Sequence, residues 1–351
     1  MAPSALDAKP AANSERAEYY GRIREYGAAP LWEALSGLVT PEPRPVCIPA
    51  MWRYRDLRPL LLEAGGLITA REAERRVLVL ENPAVPGMSR ITDSLYAGLQ
   101  LVMPGEIAGS HRHVAAALRL TIESEGGYTA VDGEKAVMEP GDFVITPSWT
   151  YHDHGNPGAS PVIWMDVLDL PLVNFLGCSF AEHHECETQP LTRPEGDSYL
   201  RYGANLLPAD HTPANGNSPV FRYPYARTRE TLEGMKRNGP MHACHGFKLR
   251  YVNPATGGPA MTTIGTFVQL LPKGFEGDVC RATDATIFCA VEGTGETSIG
   301  DRVFRWEPHD IFVAPSWMPV RHRAESDAVL FSASDRPVQQ ALGLWREKAG
   351  G

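Results

Sequence analysis

Short apolar runs separated by turn residues dominate the chain from about residue 77 onwards. Segments such as RRVLVLENP, ALRLTIES and DFVITPS alternate with Gly, Pro and Asp, at intervals of about 8 to 12 residues that are typical of strands in a β-sandwich or β-barrel. Before this region, the apolar spacing predicts helical segments over 18–38, interrupted near Pro30, and a helical stretch over 57–76 that Thr69 caps. The N-terminal segment 1–16, rich in Ala, Pro and Ser, predicts a frayed arm.

The rest of the chain divides in the same way. Residues 178–250 are less regular, with one helix predicted near 228–237, and the strand pattern resumes at about Thr262 before a final helix predicted over 337–348. The predicted organisation is therefore an N-terminal arm with helices (1–76), a first barrel (77–177), an inter-barrel segment (178–261) and a second barrel with a terminal helix (262–351).

An internal repeat relates the two barrel regions. The offset that superposes Pro104 on Pro272 also superposes the Glu139, Pro140 and Asp142 group on Glu307, Pro308 and Asp310, the Pro147–Trp149 segment on Pro315–Trp317, and His154 on His322. Matches at one fixed offset over this length indicate duplication. The repeat predicts a mainly β protein made of two copies of one β-barrel, with helices at the N-terminus.

Three histidines in the first copy have the spacing of metal ligands. His111 and His113 follow Gly105, and because side chains at i and i+2 lie on one face of a strand, both imidazoles point into one cavity. His152 follows Gly141 and Pro147 on a second segment. The two segments resemble the two cupin motifs, and the three imidazoles are predicted to bind one metal ion.

The second copy has lost these ligands. At the same fixed offset, His111, His113 and His152 become Val279, Arg281 and Val320, so the N-terminal barrel alone is expected to hold metal. Many cupins add a glutamate ligand shortly after the second histidine, where this chain has Ala117 and Leu118. A neutral three-histidine set with open positions suits Fe(II) and oxygen chemistry, and Zn²⁺ is also compatible with it.

The composition of the chain limits the classes of partner that the protein can bind. The chain of 351 residues carries 33 Lys and Arg against 42 Asp and Glu, a formal net charge of −9, which argues against nucleic acid and anionic membranes as partners. No long apolar run and no secretory signal is visible, so a cytoplasmic protein is expected. The six cysteines are scattered, which predicts free thiols and no disulfide.

Several stretches resemble one enzyme family. LQLVMPGEIAGSHRHVAAALRL, PGDFVITPSWTYHDHGN, WRYRDLRPLLLEAG and the doubled barrel are similar to gentisate 1,2-dioxygenase and its relatives that act on salicylates and 1-hydroxy-2-naphthoate, over about residues 30–345. The resemblance implies a bicupin of two jelly-roll barrels that uses Fe(II) and dioxygen to open an aromatic ring between the carboxyl-bearing and hydroxyl-bearing carbons. For gentisate the product is maleylpyruvate, and the resemblance also implies a homotetramer.

The resemblance assigns expected roles to further residues. Arg119, which shares strand parity with His111 and His113, is expected to pair with the substrate carboxylate or with charge on the oxygen. The other expected catalytic residues are His154 and Asp166, and the expected substrate-binding residues are Arg75, Tyr96 and Gln100. Two alternatives stay open: the counterpart His322 also allows a structural role for His154, and Arg76 could replace Arg75.

Other functions are compatible with a bicupin. The same chemistry could act on salicylate, a 5-substituted salicylate or 1-hydroxy-2-naphthoate. A non-catalytic binding protein is a hypothesis of another class, which the full histidine set disfavours, and a metal-dependent isomerase or decarboxylase is a third. Two further polar clusters, EHHECE and the group of His242, Cys244 and His245, are interpreted as exposed loops.

Overall fold

The computed structural model describes residues 13–204, 206–211 and 216–350. Residues 1–12 of the predicted arm lie outside the described part. Helices α1 (Asn13–Glu25) and α2 (Leu31–Leu38) belong to a unit that ends at Arg44, and the chain from Pro45 forms a second unit. Pro30 directly precedes α2, so the predicted interruption is confirmed, and within this unit the Trp32 indole donates a hydrogen bond to the Tyr20 hydroxyl (2.8 Å).

The second unit contains two copies of the same series of elements. The first copy consists of β1 (Ala50–Trp52), α3 (Tyr54–Leu67), α4 (Ala70–Ala73), β2 (Val77–Val79), β3 (Tyr96–Val102), β4 (Ile107–His113), β5 (Ala117–Glu123), β6 (Tyr128–Val131), β7 (Glu134–Val137), β8 (Phe143–Thr146), β9 (His152–Gly155), β10 (Val162–Leu168), α5 (Leu170–Phe175) and β11 (Ala181–His183). A capping box between Thr69 and Glu72 starts α4, as the sequence predicts.

The second copy follows a connecting helix. This connecting helix is α6 (Asp197–Tyr202). The second copy consists of β12 (Arg222–Tyr223), α7 (Tyr225–Asn238), β13 (Phe247–Arg250), β14 (Gly265–Leu271), β15 (Cys280–Ala282), β16 (Thr286–Glu292), β17 (Gly295–Ile299), β18 (Arg302–Trp306), β19 (Ile311–Ala314), β20 (Val320–Ala324), β21 (Ala328–Ser334), α8 (Arg336–Ala341) and β22 (Glu347–Ala349). The predicted terminal helix is therefore wrong beyond Ala341, because the chain turns there and β22 pairs with β15.

Each barrel is built from two facing sheets. In the N-terminal barrel the six-stranded sheet has the order β12-β8-β5-β10-β3-β2 and the five-stranded sheet the order β11-β4-β9-β6-β7. The C-terminal barrel repeats this with β1-β19-β16-β21-β14-β13 and β18-β17-β20-β15-β22. The predicted mainly β, two-barrel architecture with N-terminal helices is confirmed.

Matching local structures confirm the duplication. The His154 Nδ1 atom lies 2.9 Å from the Thr129 hydroxyl, and in the second copy His322 Nδ1 lies 2.8 Å from the Thr297 hydroxyl. Trp149 and its counterpart Trp317 both have a positive φ, 62° and 63°, an unusual backbone conformation for a bulky residue. Two independent sequences do not reach such agreement by chance.

The offset between the copies grows by one position in the strand that carries the first two histidines. His111 pairs with His152 across β4 and β9, whereas Cys280 pairs with Val320 across β15 and β20. The counterparts of His111 and His113 are therefore Cys280 and Ala282. The sequence prediction of Val279 and Arg281 is wrong by one position because one residue is inserted before β15.

The two copies exchange their first strands. Strand β1 of the first copy pairs with β19 of the C-terminal barrel, and β12 of the second copy pairs with β8 of the N-terminal barrel. The helices that follow also bridge the barrels, because Tyr54 donates its N–H to Asp310 (2.9 Å) and its hydroxyl to Glu123 (2.5 Å). Tyr225 makes the equivalent two bonds with the barrels exchanged. It donates its N–H to Asp142 of the N-terminal barrel and its hydroxyl to Glu292 of the C-terminal barrel.

The main core lies between the six-stranded sheets. In β5, Leu118, Leu120 and Ile122 are buried in a cluster that includes residues of both barrels, while Arg119 and Thr121 alternate with them on the barrel-interior face. Full burial of such an aliphatic side chain contributes about 1.5–3 kcal/mol. Burial on both faces of β5 explains how a charged residue comes to lie inside the barrel.

One cysteine pair departs from the expectation of free thiols. Cys244 and Cys280 form a disulfide, with Cα atoms 6.2 Å apart, whereas Cys47, Cys178, Cys186 and Cys289 are free. The pair joins the segment before β13 to β15, a proximity that the sequence does not indicate. No helix among the described residues is long and apolar enough to cross a membrane.

Candidate metal centre

Strands β4 and β9 bring three histidines together inside the N-terminal barrel. One ligand nitrogen from each of His111, His113 and His152 lies within 4.8 Å of the other two. The imidazole centroids are 4.4 Å apart for His111 and His152, 4.9 Å for His113 and His152, and 5.2 Å for His111 and His113. Within the described residues this is the one such cluster of His, Cys, Asp or Glu side chains.

Backbone carbonyls orient two of the rings. His113 Nδ1 lies 2.6 Å from the Ala115 carbonyl oxygen, and His152 Nδ1 lies 2.9 Å from that of Thr150. An Nδ1–H that donates to a carbonyl leaves Nε2 as the nitrogen that can bind metal. His152 Nε2 is buried and has no hydrogen-bond partner, which costs free energy unless an ion or ligand binds there. The residues therefore fit a metal ion.

Burial keeps the three imidazoles neutral. Desolvation, with the charge of Arg75 next, lowers the pKa of His111 to about 3, and desolvation also lowers the pKa of His113 and of His152. Neutral imidazole is the form that coordinates a metal ion. The site is thus prepared for a cation without prior loss of protons.

Arg119 and Asp166 lie side by side on the six-stranded sheet, opposite the sheet that carries the three histidines. They are paired residues of β5 and β10, both side chains are buried, and Arg119 Nε lies 3.5 Å from an Asp166 carboxylate oxygen. Thr146 accepts a hydrogen bond from Arg119 (2.9 Å), and the Trp164 indole donates one to Asp166 (2.9 Å). Burial, opposed by Arg119, raises the pKa of Asp166 to about 6. Sequence reasoning missed Thr146 and Trp164, although strand parity places Trp164 beside Asp166.

His154 lies behind the triad. Its ring is fully buried, 5.7 Å from the His152 ring and 5.1 Å from Trp164, and its Nδ1 atom contacts the Thr129 hydroxyl. His154 Nε2 is buried without a partner. One nitrogen is therefore held by the fold and the other is available to a ligand.

The two adjacent arginines of the N-terminal region differ in their contacts. Arg75 donates to the Gly109 carbonyl (2.6 Å) and contacts His111 Nδ1, whereas Arg76 forms a double ion pair with Glu106 (2.7 and 2.8 Å). Arg76 also donates to the Ile68 carbonyl. Of the two, Arg75 lies beside the histidines.

Strand β3 places the last two expected residues near Asp166. Gln100 pairs with Trp164 in the adjacent strand, and its amide nitrogen is buried without a partner. Burial, with the charge of Asp166 second, raises the pKa of Tyr96. A Cβ atom on Gly98 would lie 2.4 Å from a methyl carbon of Val77 and 3.0 Å from the Tyr96 hydroxyl oxygen, so glycine at this position makes room for both side chains.

Comparisons with known proteins agree with this geometry. Residues 98–168 match the cupin domain family. The chain is 54% identical to gentisate 1,2 dioxygenase 1 of Aquipseudomonas alcaligenes, covering 97% of this chain and 98% of that protein. It is 38% identical to 5-aminosalicylate 1,2-dioxygenase of Comamonas sp, covering 92% and 87%.

A solved structure shows the same fold. Salicylate 1,2-dioxygenase of Pseudoaminobacter salicylatoxidans, determined with gentisate, superposes with a TM-score of 0.92 at 31% identity, covering 99% of this chain and 97% of that one. Sequence and structure comparisons thus agree over nearly the whole length. The chain belongs to the gentisate 1,2-dioxygenase family, a family of ring-cleaving oxidoreductases with relatives that act on salicylates and hydroxynaphthoate.

Proposed function

We propose that this protein is an Fe(II)-dependent dioxygenase that cleaves gentisate between its carboxyl-bearing and hydroxyl-bearing carbons to give maleylpyruvate. The observation that carries the proposal is the set of three neutral imidazoles whose ligand atoms lie within 4.8 Å of one another, beside the buried Arg119. The 54% identity to a gentisate dioxygenase supports gentisate as the first substrate to test.

In this proposal His111, His113 and His152 hold the iron. When bound, Fe(II) supplies open coordination positions and the redox chemistry that incorporates both atoms of dioxygen. The three ligands are neutral, so the ion keeps its full charge toward an anionic substrate. The counterpart residues Cys280 and Ala282 offer no imidazole, which supports an iron site in the N-terminal barrel alone.

Two arginines hold the substrate. Arg75 and Arg119 are both largely buried, and guanidinium groups form strong charge-assisted hydrogen bonds to carboxylates. Arg119 Nε, which has no hydrogen-bond partner in the described structure, is free to donate to the substrate carboxylate or to an oxygen that gains charge. Holding the substrate between these cations and the triad reduces the entropy cost of orientation.

The remaining residues handle protons and the ring substituent. His154, whose Nε2 has no partner among the described residues, donates a hydrogen bond or a proton to the dioxygen or to the substrate hydroxyl. Asp166, with a pKa of about 6, accepts a hydrogen bond from the 5-hydroxyl of gentisate, and Tyr96 and Gln100 line the ring on the same sheet. We also propose a cytoplasmic homotetramer, in keeping with the family resemblance.

Salicylate, 5-substituted salicylates and 1-hydroxy-2-naphthoate are the alternative substrates, because relatives named for 5-aminosalicylate and 1-hydroxy-2-naphthoate share 38% and 32% identity with this chain. A binding protein without turnover is disfavoured, since the family consists of enzymes.

The test is anaerobic loading with Fe(II) followed by oxygen uptake and product absorbance with this panel of acids. We expect one O2 consumed per gentisate, and gentisate to have the highest kcat/KM. If the iron-loaded protein consumes no oxygen with any ortho-hydroxy aromatic acid, the proposal is wrong. His154→Asn and the matched variant His322→Asn separate the two roles of this histidine: we expect a loss of kcat in the first alone.

A further inference from the structure

Arg112 lies between the two histidines of β4 but points away from the metal cavity. Side chains alternate along a strand, so His111 and His113 face the interior of the barrel and Arg112 faces outward. Its guanidinium carbon lies 4.4 Å from the centroid of the Trp149 ring and 4.6 Å from that of the Tyr151 ring. Both distances are in the range of cation–π attraction, so both rings hold the guanidinium group.

An acidic residue of the neighbouring strand also contacts this guanidinium group. Glu182 of β11 is the residue that pairs with Arg112 in the strand register. The Nε and Nη2 groups of Arg112 both donate to Glu182, at 2.9 and 2.6 Å. Charge-assisted hydrogen bonds of this kind fix the orientation of a guanidinium group. We call Arg112, Trp149, Tyr151 and Glu182 the Arg112 clamp.

The two rings of the clamp belong to the segment that orients the third histidine. Tyr151 directly precedes His152, and the carbonyl oxygen of Thr150, between the two aromatic residues, lies 2.9 Å from His152 Nδ1. The Trp149 N–H donates to the carbonyl of His113 (2.8 Å). The clamp thus joins the strand of the first two histidines to the segment that orients the third.

The backbone part of this arrangement is common to both barrels. Trp149 and its counterpart Trp317 both have a positive φ, 62° and 63°. The Trp317 N–H donates to the carbonyl of Ala282 (2.7 Å), which is the counterpart of His113. A barrel without the three histidines therefore forms the same turn, so this backbone contact serves the fold.

The side chains of the clamp differ between the barrels. Arg281, one position after Cys280, is the counterpart of Arg112. The residue that pairs with Arg281 is Lys348, which carries a like charge, and Pro319 occupies the position of the second ring. Of the two barrels, only the one with three histidines has the carboxylate and the second ring at these positions. The clamp therefore accompanies the histidines and is not a requirement of the barrel fold.

We propose that Arg112 is a positioning residue of the metal centre, which fixes the strand of His111 and His113 relative to the ring of His152. The inference rests on the iron site proposed above. A metal ion requires ligand distances within about 0.2 Å of their ideal values, and groups that orient the ligands typically change metal affinity about 10–100-fold. Arg112 faces away from the ligand nitrogens, so it acts through β4 and the segment before β9.

Metal binding by the full chain tests this inference without turnover. The chelator-treated protein is titrated with Fe(II) under anaerobic conditions against a competing chromophoric chelator. We expect Arg112→Met to raise the Kd for Fe(II) about tenfold or more. Arg112→Lys, which keeps a cation for the rings and for Glu182, should recover most of that loss. Arg281→Met is the matched control, because it removes the same side chain at the same strand position of the C-terminal barrel, and its Kd should equal the wild-type value.

The absorption spectrum of the Co(II)-loaded protein separates positioning from stability. At saturating Co(II), a variant that is only less stable keeps the wild-type d–d bands, whereas displaced imidazoles shift these bands or change their intensity. We expect such a change in Arg112→Met and none in Arg281→Met. Tyr151→Leu removes one ring of the clamp and should change both the spectrum and the Kd. Its effect should not add to that of Arg112→Met in the double variant, because both changes remove the same contact.

The possible negative results are distinguishable. Either a wild-type Kd or a wild-type Co(II) spectrum in Arg112→Met overturns the inference and leaves the iron site itself standing. An equal loss of affinity in Arg281→Met would show a general loosening of the barrels and also overturns it. A wild-type protein that binds neither ion more tightly than His113→Ala refutes the proposed iron site and this inference together. Circular dichroism verifies folding, and if Arg112→Met does not fold, Tyr151→Leu decides by the same two measurements.

Discussion

Replacement of Arg119 by methionine tests the electrostatics of the proposed site. The side chain is 4% exposed, donates to Thr146 and lies 3.5 Å from Asp166. Methionine keeps much of the volume and removes the charge. The Asp166 carboxylate then keeps the Trp164 indole as its hydrogen-bond donor but loses its neighbouring cation.

The structure gives the size of two separate effects. Removing one partner of a buried ion pair costs about 3–5 kcal/mol, and we expect the lower end, since a carboxyl with a pKa of about 6 escapes part of the cost by protonation. At about 2 °C per kcal/mol for a unit of this size, Tm falls by about 6 °C. Loss of one donor aimed at developing charge reduces kcat by about 10²–10³-fold, or about 2.7–4 kcal/mol.

The assay is oxygen uptake at saturating gentisate, normalised to bound iron, because Arg119 is not a ligand and iron occupancy should be unchanged. Arg222→Met is the matched control: Arg222 pairs with the buried Asp142 (2.6 Å) outside the site, so this variant should lose similar stability and keep its kcat. If the kcat of iron-loaded Arg119→Met is within fivefold of the wild-type kcat, Arg119 has no electrostatic role in the reaction.

Three further predictions concern the triad, the disulfide and pH. His113→Ala should retain less than a tenth of the iron by metal analysis. Its free energy of unfolding should fall by less than about 2 kcal/mol, since one partly buried ring and one hydrogen bond are lost. Collapse of the fold would instead indicate a structural metal. Reduction of Cys244–Cys280, which closes a 36-residue separation, should cost up to about 4 kcal/mol in urea unfolding, and an unchanged midpoint under reductant would contradict the disulfide. Burial lowers the pKa of His322 to about 3 in the folded protein, below its unfolded value of about 6.5. The unfolded chain therefore takes up the proton first, and stability is lost as pH falls from 6.5 toward 3. Between pH 4 and 6 the wild type should lose about 1.4 kcal/mol per pH unit more than His322→Gln; parallel pH profiles would refute this.

The sequence is informative about the proposed metal site because the spacing of its residues is local. His111 and His113 are two residues apart on one strand, and strand geometry alone points both inward. The same parity places Arg119 on the barrel-interior face. The motif around Gly141 and His152 supplies the third histidine of the proposed metal site, and repetition of the motif predicts the second barrel.

Contacts between distant residues could not be predicted in this way. Tyr54 bonds to Asp310 across 256 residues, and nothing in either segment specifies the other. The exchange of β1 and β12 between the barrels depends on packing of the whole duplicated unit. The one-residue shift that aligns Cys280 with His111 also became visible only from strand pairing.

The amino-acid order by itself determined the β-barrel class, the duplication, the three histidines and the inward face that carries Arg119, because these follow from periodicities of two residues and from repeated turn motifs. The tertiary structure decided that Arg75 lies at the triad while Arg76 is held by Glu106, and that Cys244 meets Cys280. These outcomes depend on which side chains compete for the same buried space, and that competition is settled only when the sheets have packed.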